Sequence, residues 1–448
     1  MKPWVGHIFS GKVPIAPLVV FRMVFGGMMA ISTIRFMLKG WVAELYIQPR
    51  VFFPFYGFEW VKPLSGIGMY LVFGLVLVSS LMVMVGWRYR LAAALFFLSF
   101  TYVELIDKTN YLNHYYFVSL VSFLMIFMPA GRHFSVDAWL KPSSAKQYIP
   151  AWSVNLLKFQ LAVVYVFAGI AKLNGDWLLR AMPLKIWLPA KSHLPLIGPL
   201  LEEEWVAYAM SWGGAAYDLF IVFFLLNSRT RPVAYFFVIF FHALTALLFP
   251  AIGMFPFIMI LSTLIFFPPA FHENVLNKIS RIFRIKWPSE GSERQDNYRL
   301  APVYKWLMVT FVCWQLLMPW RYLLYPAPLF WREEGYRFSW RVMLMEKAGY
   351  VSFHVNDPAT GRMGQIANHD YLTPQQEKMV ATQPDMILQF AHFLAGELKN
   401  QGLTDPEIRA ESWVTLNGRR SRPFVDPTVN LVHQQESFLP KTWILPAE

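Results

Sequence analysis

The sequence predicts a polytopic α-helical membrane protein of about nine spans, N-terminus in and C-terminus out, with a C-terminal extracytoplasmic α+β domain. Three observations carry that expectation. Of the 448 residues, 56% are hydrophobic and only 15% are charged, whereas a soluble domain carries about 25% charged residues. The apolar residues gather in runs near the roughly 20 residues that a spanning helix needs. Finally, the composition changes near residue 321, where Pro, charged residues and short alternating runs replace the long apolar ones.

Nine runs qualify: residues 15–38, 67–86, 91–107, 113–130, 154–173, 206–226, 232–249, 252–269 and 302–320. The first contains Arg22 and Arg35 and no small-residue cleavage site, so it reads as a span and not as a cleaved signal. With the N-terminus inside, every inner loop is basic. They carry Arg88 and Arg90; Arg132, Lys141 and Lys146 within 131–153; Arg229 and Arg231; and Lys278, Arg281, Arg284 and Lys286 within 270–301. The outer joints "ELIDKTNYLN", "LLEEEW" and "FPAIGMF" are acidic, mixed or uncharged. That parity orients the chain, so the net charge of +12 is topological and not the footprint of a nucleic-acid partner. The sole cysteine, Cys313, excludes an intrachain disulfide and a cysteine metal cluster.

We divide the chain into a membrane part, 1–320, and a β-rich domain, 321–448. Within the latter, "GYVSFHV" and "GRMGQIA" flank an Asn-Asp-Pro-Ala-Thr turn and predict a hairpin. "PDMILQFAHFLAGELKNQG" has apolar residues at helical spacing and ends near Gly402. "RAESWVTLNGRRSRPFV" reads as strand, Asn-Gly turn, strand.

The candidate site residues are polar groups set in apolar surroundings. Lys172 ends the run "LAVVYVFAGIA". Desolvation disfavours an ammonium, so an amine kept from water can act as a base; alternatively Lys172 snorkels to the interface with Asp176 as helix-end partner. Asp107, Lys108, Asn113 and His114 crowd the joint between the third and fourth runs. They either position a polar substrate or bond one another. His242 interrupts "YFFVIFFHALTALLF", and Asp218 interrupts "WGGAAYDLFIVFFLL". Both need partners in a membrane, and Lys172 is a candidate partner for Asp218; Glu104, near the end of the third run, is a weaker candidate. Further on, "FWREEGYRFSW" sets Trp331, Tyr336 and Trp340 among charges, which suits either peptide binding or the membrane interface. Arg419, Arg420 and Arg422 surround a turn and offer guanidinium forks to a carboxylate; alternatively they contact lipid headgroups or simply face water. The sequence has no zinc spacing, phosphate loop, nucleophile elbow or dinucleotide fingerprint, and no metal is expected.

Eight collinear segments, "FRMVFG", "LIDKTNYLNHYYF", "SVDAWL", "FAGIAKLNGDW", "WGGAAYDL", "FFHALTALLFPAIGMF", "GYRFSW" and "FVDPTVNLV", resemble the vitamin K-dependent γ-glutamyl carboxylase family and its bacterial relatives with the horizontally transferred transmembrane domain. The resemblance implies a reaction in which reduced vitamin K is oxidised by O2 to its epoxide. The base formed on the way removes a γ-proton from glutamate in a protein, and the carbanion captures CO2. It also implies that Lys172 is the initiating base, that His114 and His242 are the family's catalytic histidines, and that Trp331, Tyr336 and Trp340 contact the glutamate-bearing peptide. Where the animal enzymes have two adjacent lysines, this chain has Ala171 and Lys172. The implied partners are the bilayer, a prenylated naphthohydroquinone and a glutamate-containing protein; the implied location is a bacterial inner membrane with the C-terminal domain in the periplasm. Two rivals are a quinol epoxidase or quinol-binding oxidoreductase that does not carboxylate, and a transporter or scaffold without chemistry.

Overall fold

A computed structural model describes residues 11–285, 287 and 302–447. Its first part is a bundle of α1 (Ala16–Leu38), α2 (Ile67–Val85), α3 (Tyr89–Ile106), α4 (Asn113–Phe127), α5 (Ala151–Ala171), α6 (Glu204–Leu226), α7 (Arg231–Leu248), α8 (Phe255–Ser262), α9 (Pro269–Phe283) and α10 (Pro302–Leu317). Backbone groups in hydrocarbon must be satisfied within the segment, which helices achieve. Among the described residues, seven helices are long and apolar enough to cross a bilayer: α1, α2, α3, α5, α6, α7, and α10 with its continuation to Leu324.

The other two predicted runs are helical but not as straight full-length spans. The fourth is a helix of 15 residues, stopped by Pro129 because the residue before a proline is pushed out of helical geometry. The eighth does not continue straight: Phe255–Phe266 and Pro269–Phe283 are bent by 113°, at the adjacent Pro268 and Pro269. The loop predicted for 270–301 therefore begins as α9. Lys286 and residues 288–301 lie outside the described residues.

Two glycines set helix crossings. A Cβ at Gly26 would come within 2.5 Å of the Met84 nitrogen, and one at Gly169 within 2.7 Å of the Leu219 nitrogen. Small residues let backbones approach in this way, so α1 packs on α2 and α5 on α6. At the end of the bundle where α1 begins, strand β1 (Lys12–Pro14) pairs with β2 (Tyr148–Pro150). There the fully buried Arg22 donates to the carbonyls of Ala130 and Phe134 at 2.8 and 2.6 Å. We call this the far end, because the C-terminal domain sits on the other.

That domain is an antiparallel sheet in the order β4-β3-β5-β6, from β3 (Lys347–Asp357), β4 (Arg362–Gln365), β5 (Glu407–Leu416) and β6 (Arg422–Pro423), with α11 (Pro374–Val380) and α12 (Pro384–Asn400). The predicted hairpin forms with His354 opposite Gln365. The Asn417-Gly418 turn has both φ angles positive, at 50° and 72°, the geometry an Asn-Gly pair favours. Alternate residues of β5, Ile408 to Leu416, are buried. They pack with Ile387, Phe390 and Leu394 of α12 in a core that also takes in Val51 and Phe53 from the joint between α1 and α2.

Candidate active site

Lys172 caps the C-terminus of α5. The close crossing at Gly169 brings α6 alongside, and the Lys172 ammonium nitrogen donates to Asp218 Oδ2 at 2.6 Å. Both side chains are under a tenth exposed. The Trp177 ring covers the amine, its centroid 5.4 Å from Nζ. Trp177 is itself pinned, its indole N–H donating to the Ser211 carbonyl at 2.8 Å while the Ser211 hydroxyl donates back to the Trp177 carbonyl. Asp176, the alternative partner, is engaged elsewhere. It accepts two hydrogen bonds from Arg419, at 2.6 and 2.8 Å, and one from Asn417. Burial pushes the Asp176 carboxyl up, but Arg419 and Asn417 outweigh that and hold it below its ordinary value.

The Lys172–Asp218 pair lies on the wall of a cavity whose other walls are mostly apolar, including Val164, Ala168, Phe241, Phe255 and Met259. His242 faces the same space and is 1% exposed. Its Nε2 is 3.1 Å from the Tyr165 hydroxyl, and its Nδ1 has no partner among the described residues. Tyr165 was not among the predicted site residues. The available signal was its position seven residues before Lys172, two turns along one face of α5.

The C-terminal domain's first segment sends Val342 and Met343 onto the cavity wall. Within 333–343, the non-glycine residues Glu333, Phe338, Trp340 and Met343 have φ of 60°, 60°, 60° and 51°. Such backbone persists only where the surroundings impose it, and it gathers at functional sites. Asn113 fastens this segment, its amide donating to the Arg341 carbonyl at 3.0 Å. Trp340 is buried and stacks on Tyr116 at 5.0 Å.

The remaining predicted residues fall outside the cavity wall. The His114 ring is 6.0 Å from that of Phe255, which lies 5.5 Å from His242, so Phe255 separates the two histidines. Tyr336 is half-buried, its ring 6.3 Å from that of Phe330. Trp331 sits in the core of the C-terminal domain and donates to the Leu445 carbonyl at 2.8 Å. Arg419 docks that domain on Asp176, while Arg420 and Arg422 are exposed. The structure thus brings Lys172, Asp218 and His242 together and leaves Trp331, Arg419 and Arg420 apart from them.

A second cavity, of about 1,860 Å³, lies between the domain and α3, α4 and α10, with Glu104, Arg321 and Phe338 on its walls. At its edge the buried Lys108 contacts Asp385 at 2.8 Å and Glu436 at 3.4 Å, and Arg337 donates to Asp385 at 2.6 Å. The polar groups of the α3–α4 joint therefore bond chiefly across to the C-terminal domain. Burial would raise the Asp385 carboxyl, but Arg337 and Lys108 prevail and hold it well below the usual carboxylate range.

A helical bundle with a buried amine–carboxylate pair on the wall of a mostly apolar cavity, joined to an α+β domain, defines an integral membrane protein. Residues 11–271 match the HTTM domain, and residues 301–448 match the vitamin K-dependent gamma-carboxylase, lumenal domain. The chain belongs to the vitamin K-dependent γ-glutamyl carboxylase family. No solved structure matches it.

Proposed function

We propose that this protein couples oxidation of a reduced, prenylated naphthoquinone to carboxylation of glutamate in a protein substrate, with the quinol ring in the cavity beside Lys172. The observation that carries the reading is the Lys172–Asp218 pair, 2.6 Å apart on the wall of an otherwise apolar cavity. The cavity suits the ring: it is apolar, and the unpartnered Nδ1 of His242 offers a hydrogen bond to a ring oxygen. When bound, the quinol supplies the reducing equivalents and, with O2, the driving force that an amine lacks for removing a γ-proton of glutamate.

The protein's own part is acid–base work and exclusion of water. An amine and a carboxylate sharing one proton are neutral together, which a dry cavity tolerates better than a lone charge. With that proton on Asp218, the Lys172 nitrogen takes the proton of the quinol hydroxyl: the O–H bond breaks and an N–H bond forms. Tyr165 fixes the ring of His242, and Trp177, Val342 and Met343 shut out solvent that would quench a strong base. The basic loops at the far end support an orientation with that end inside and the C-terminal domain outside, which in a bacterial inner membrane is the periplasm.

Purified protein given the reduced naphthoquinone, O2, labelled bicarbonate and a glutamate peptide is expected to yield both the quinone epoxide and labelled γ-carboxyglutamate by mass spectrometry. Epoxide without carboxylated peptide would favour a quinol epoxidase. That second reading draws support from Trp331 and Arg419 not being on the wall of the Lys172 cavity. Neither product would overturn the proposal and favour a scaffold or transporter. In the same assay Tyr165→Phe is expected to lower epoxide formation about tenfold, the worth of one buried hydrogen bond; undiminished activity would remove Tyr165 from the site.

A further inference from the structure

At the far end of the bundle, the α2–α3 turn and the α4–α5 joint enclose a groove of about 1,080 Å³. Arg88 and Arg90 reach it from the first, Arg132 and Lys141 from the second, and all four are exposed. None has a carboxylate partner among the described residues. Among the described residues Asp137 is the only acid on the groove wall, and its two oxygens accept the backbone N–H groups of Arg88 and Tyr89 at 2.7 and 2.8 Å. That carboxylate caps α3 and is not shared out among the side-chain cations.

Membrane orientation asks only that such loops be basic. It does not ask that two loops far apart in the chain set four cations round one concavity. The rim adds a second observation. Leu91 and Leu140 on the groove wall are 50% and 63% exposed, and Trp87 and Trp139, next in the chain to Arg88 and Leu140, are 45% and 59% exposed; such aromatic and apolar residues form the belt of a membrane–water boundary. The stacking of Phe134 on Trp287, centroids 4.5 Å apart, brings the neighbourhood of α9 to the same end. There Ile282 and Phe283 are also exposed.

We propose that this groove binds the phosphate headgroup of an anionic phospholipid, with the acyl chains lying along Leu91 and Leu140. Guanidinium forks suit phosphate oxygens, and the apolar rim is what distinguishes a lipid from a free anion. The inference is independent of the chemistry assigned to Lys172.

The test is native mass spectrometry of the purified full-length protein, at physiological ionic strength, titrated with phosphatidylglycerol, phosphatidylcholine or inorganic phosphate. Two variants are compared: Arg88→Gln/Arg132→Gln/Lys141→Gln, and a control with the same loss of charge, Lys278→Gln/Arg281→Gln/Arg284→Gln. Each cation near an anionic headgroup is worth roughly fivefold in affinity. The groove variant is expected to bind phosphatidylglycerol on the order of a hundredfold more weakly, the control to bind it nearly as the wild type does, and phosphate not to displace it. Equal weakening in both variants would overturn the site, as would phosphatidylcholine binding as tightly as phosphatidylglycerol. Displacement by millimolar phosphate would overturn the lipid as its ligand.

Discussion

Lys172→Ala is expected to reduce quinol epoxide formation by roughly a hundred- to ten-thousandfold, the usual contribution of a positioned general base. The amine is the one basic nitrogen of a lysine or arginine on the cavity wall, so among the described residues no neighbouring cation can take its place. The variant also strands Asp218 without its partner, and removing one member of a buried pair is itself destabilising. Fold and chemistry are separated by Lys172→Met/Asp218→Asn, which removes both charges and keeps the volumes similar. Such replacements are often tolerated by the fold. The double variant is therefore expected to melt near the wild type while remaining inactive. Wild-type epoxide formation by either variant would exclude Lys172 as the base.

Asp385→Asn is expected to undock the C-terminal domain. Asp385 stands at the start of α12 and compensates both Lys108, from the α3–α4 joint, and Arg337, from the segment leading to the Lys172 cavity. Breaking a buried ionic network in this way costs about 3–5 kcal/mol, because two cations lose their counter-charge; Glu436, 3.4 Å from Lys108, offsets part of the loss. Limited proteolysis and thermal melting should both register the change, and a shift worth less than about 1 kcal/mol, the level of an exposed pair, would contradict it. The pH dependence has a definite sign. A carboxyl held below its ordinary value of 3.8 contributes stability that is complete above that value and drains away as pH falls beneath it. Wild-type docking should therefore be level from pH 7 to about pH 5 and weaken below about pH 4, whereas the contribution from residue 385 is absent from the Asn variant.

The two variants probe parts of the protein that differed in how far they could be read from sequence. Lys172, Asp218 and His242 were legible because a charge or an imidazole within an apolar run is costly and must be accounted for. The same contrast with the membrane runs exposed the Asn-Asp-Pro-Ala-Thr hairpin and the α12 stripe. The break at Pro268 and Pro269 was written in the chain but masked by apolar residues on its N-terminal side, which satisfy a hydropathy count whether the helix runs straight or turns. Composition could not reveal that 336–343 enters the bundle, because aromatic residues among charges look alike in a peptide-binding loop and in a buried plug. Nor could it reveal that Arg419 meets Asp176. The two stand 243 positions apart, and only the folded docking of sheet on bundle joins them.

The central claim is that the reacting quinol ring lies against the Lys172–Asp218 pair. The most direct measurement is a cryo-EM map of the protein in nanodiscs with a non-oxidisable naphthoquinol analogue bound. The account predicts a ring oxygen within about 3.2 Å of Lys172 Nζ, a hydrogen-bond distance, and the ring between Phe241 and Phe255. A ring found instead in the larger cavity beside Glu104, with the Lys172 cavity lacking density for it, would contradict the account.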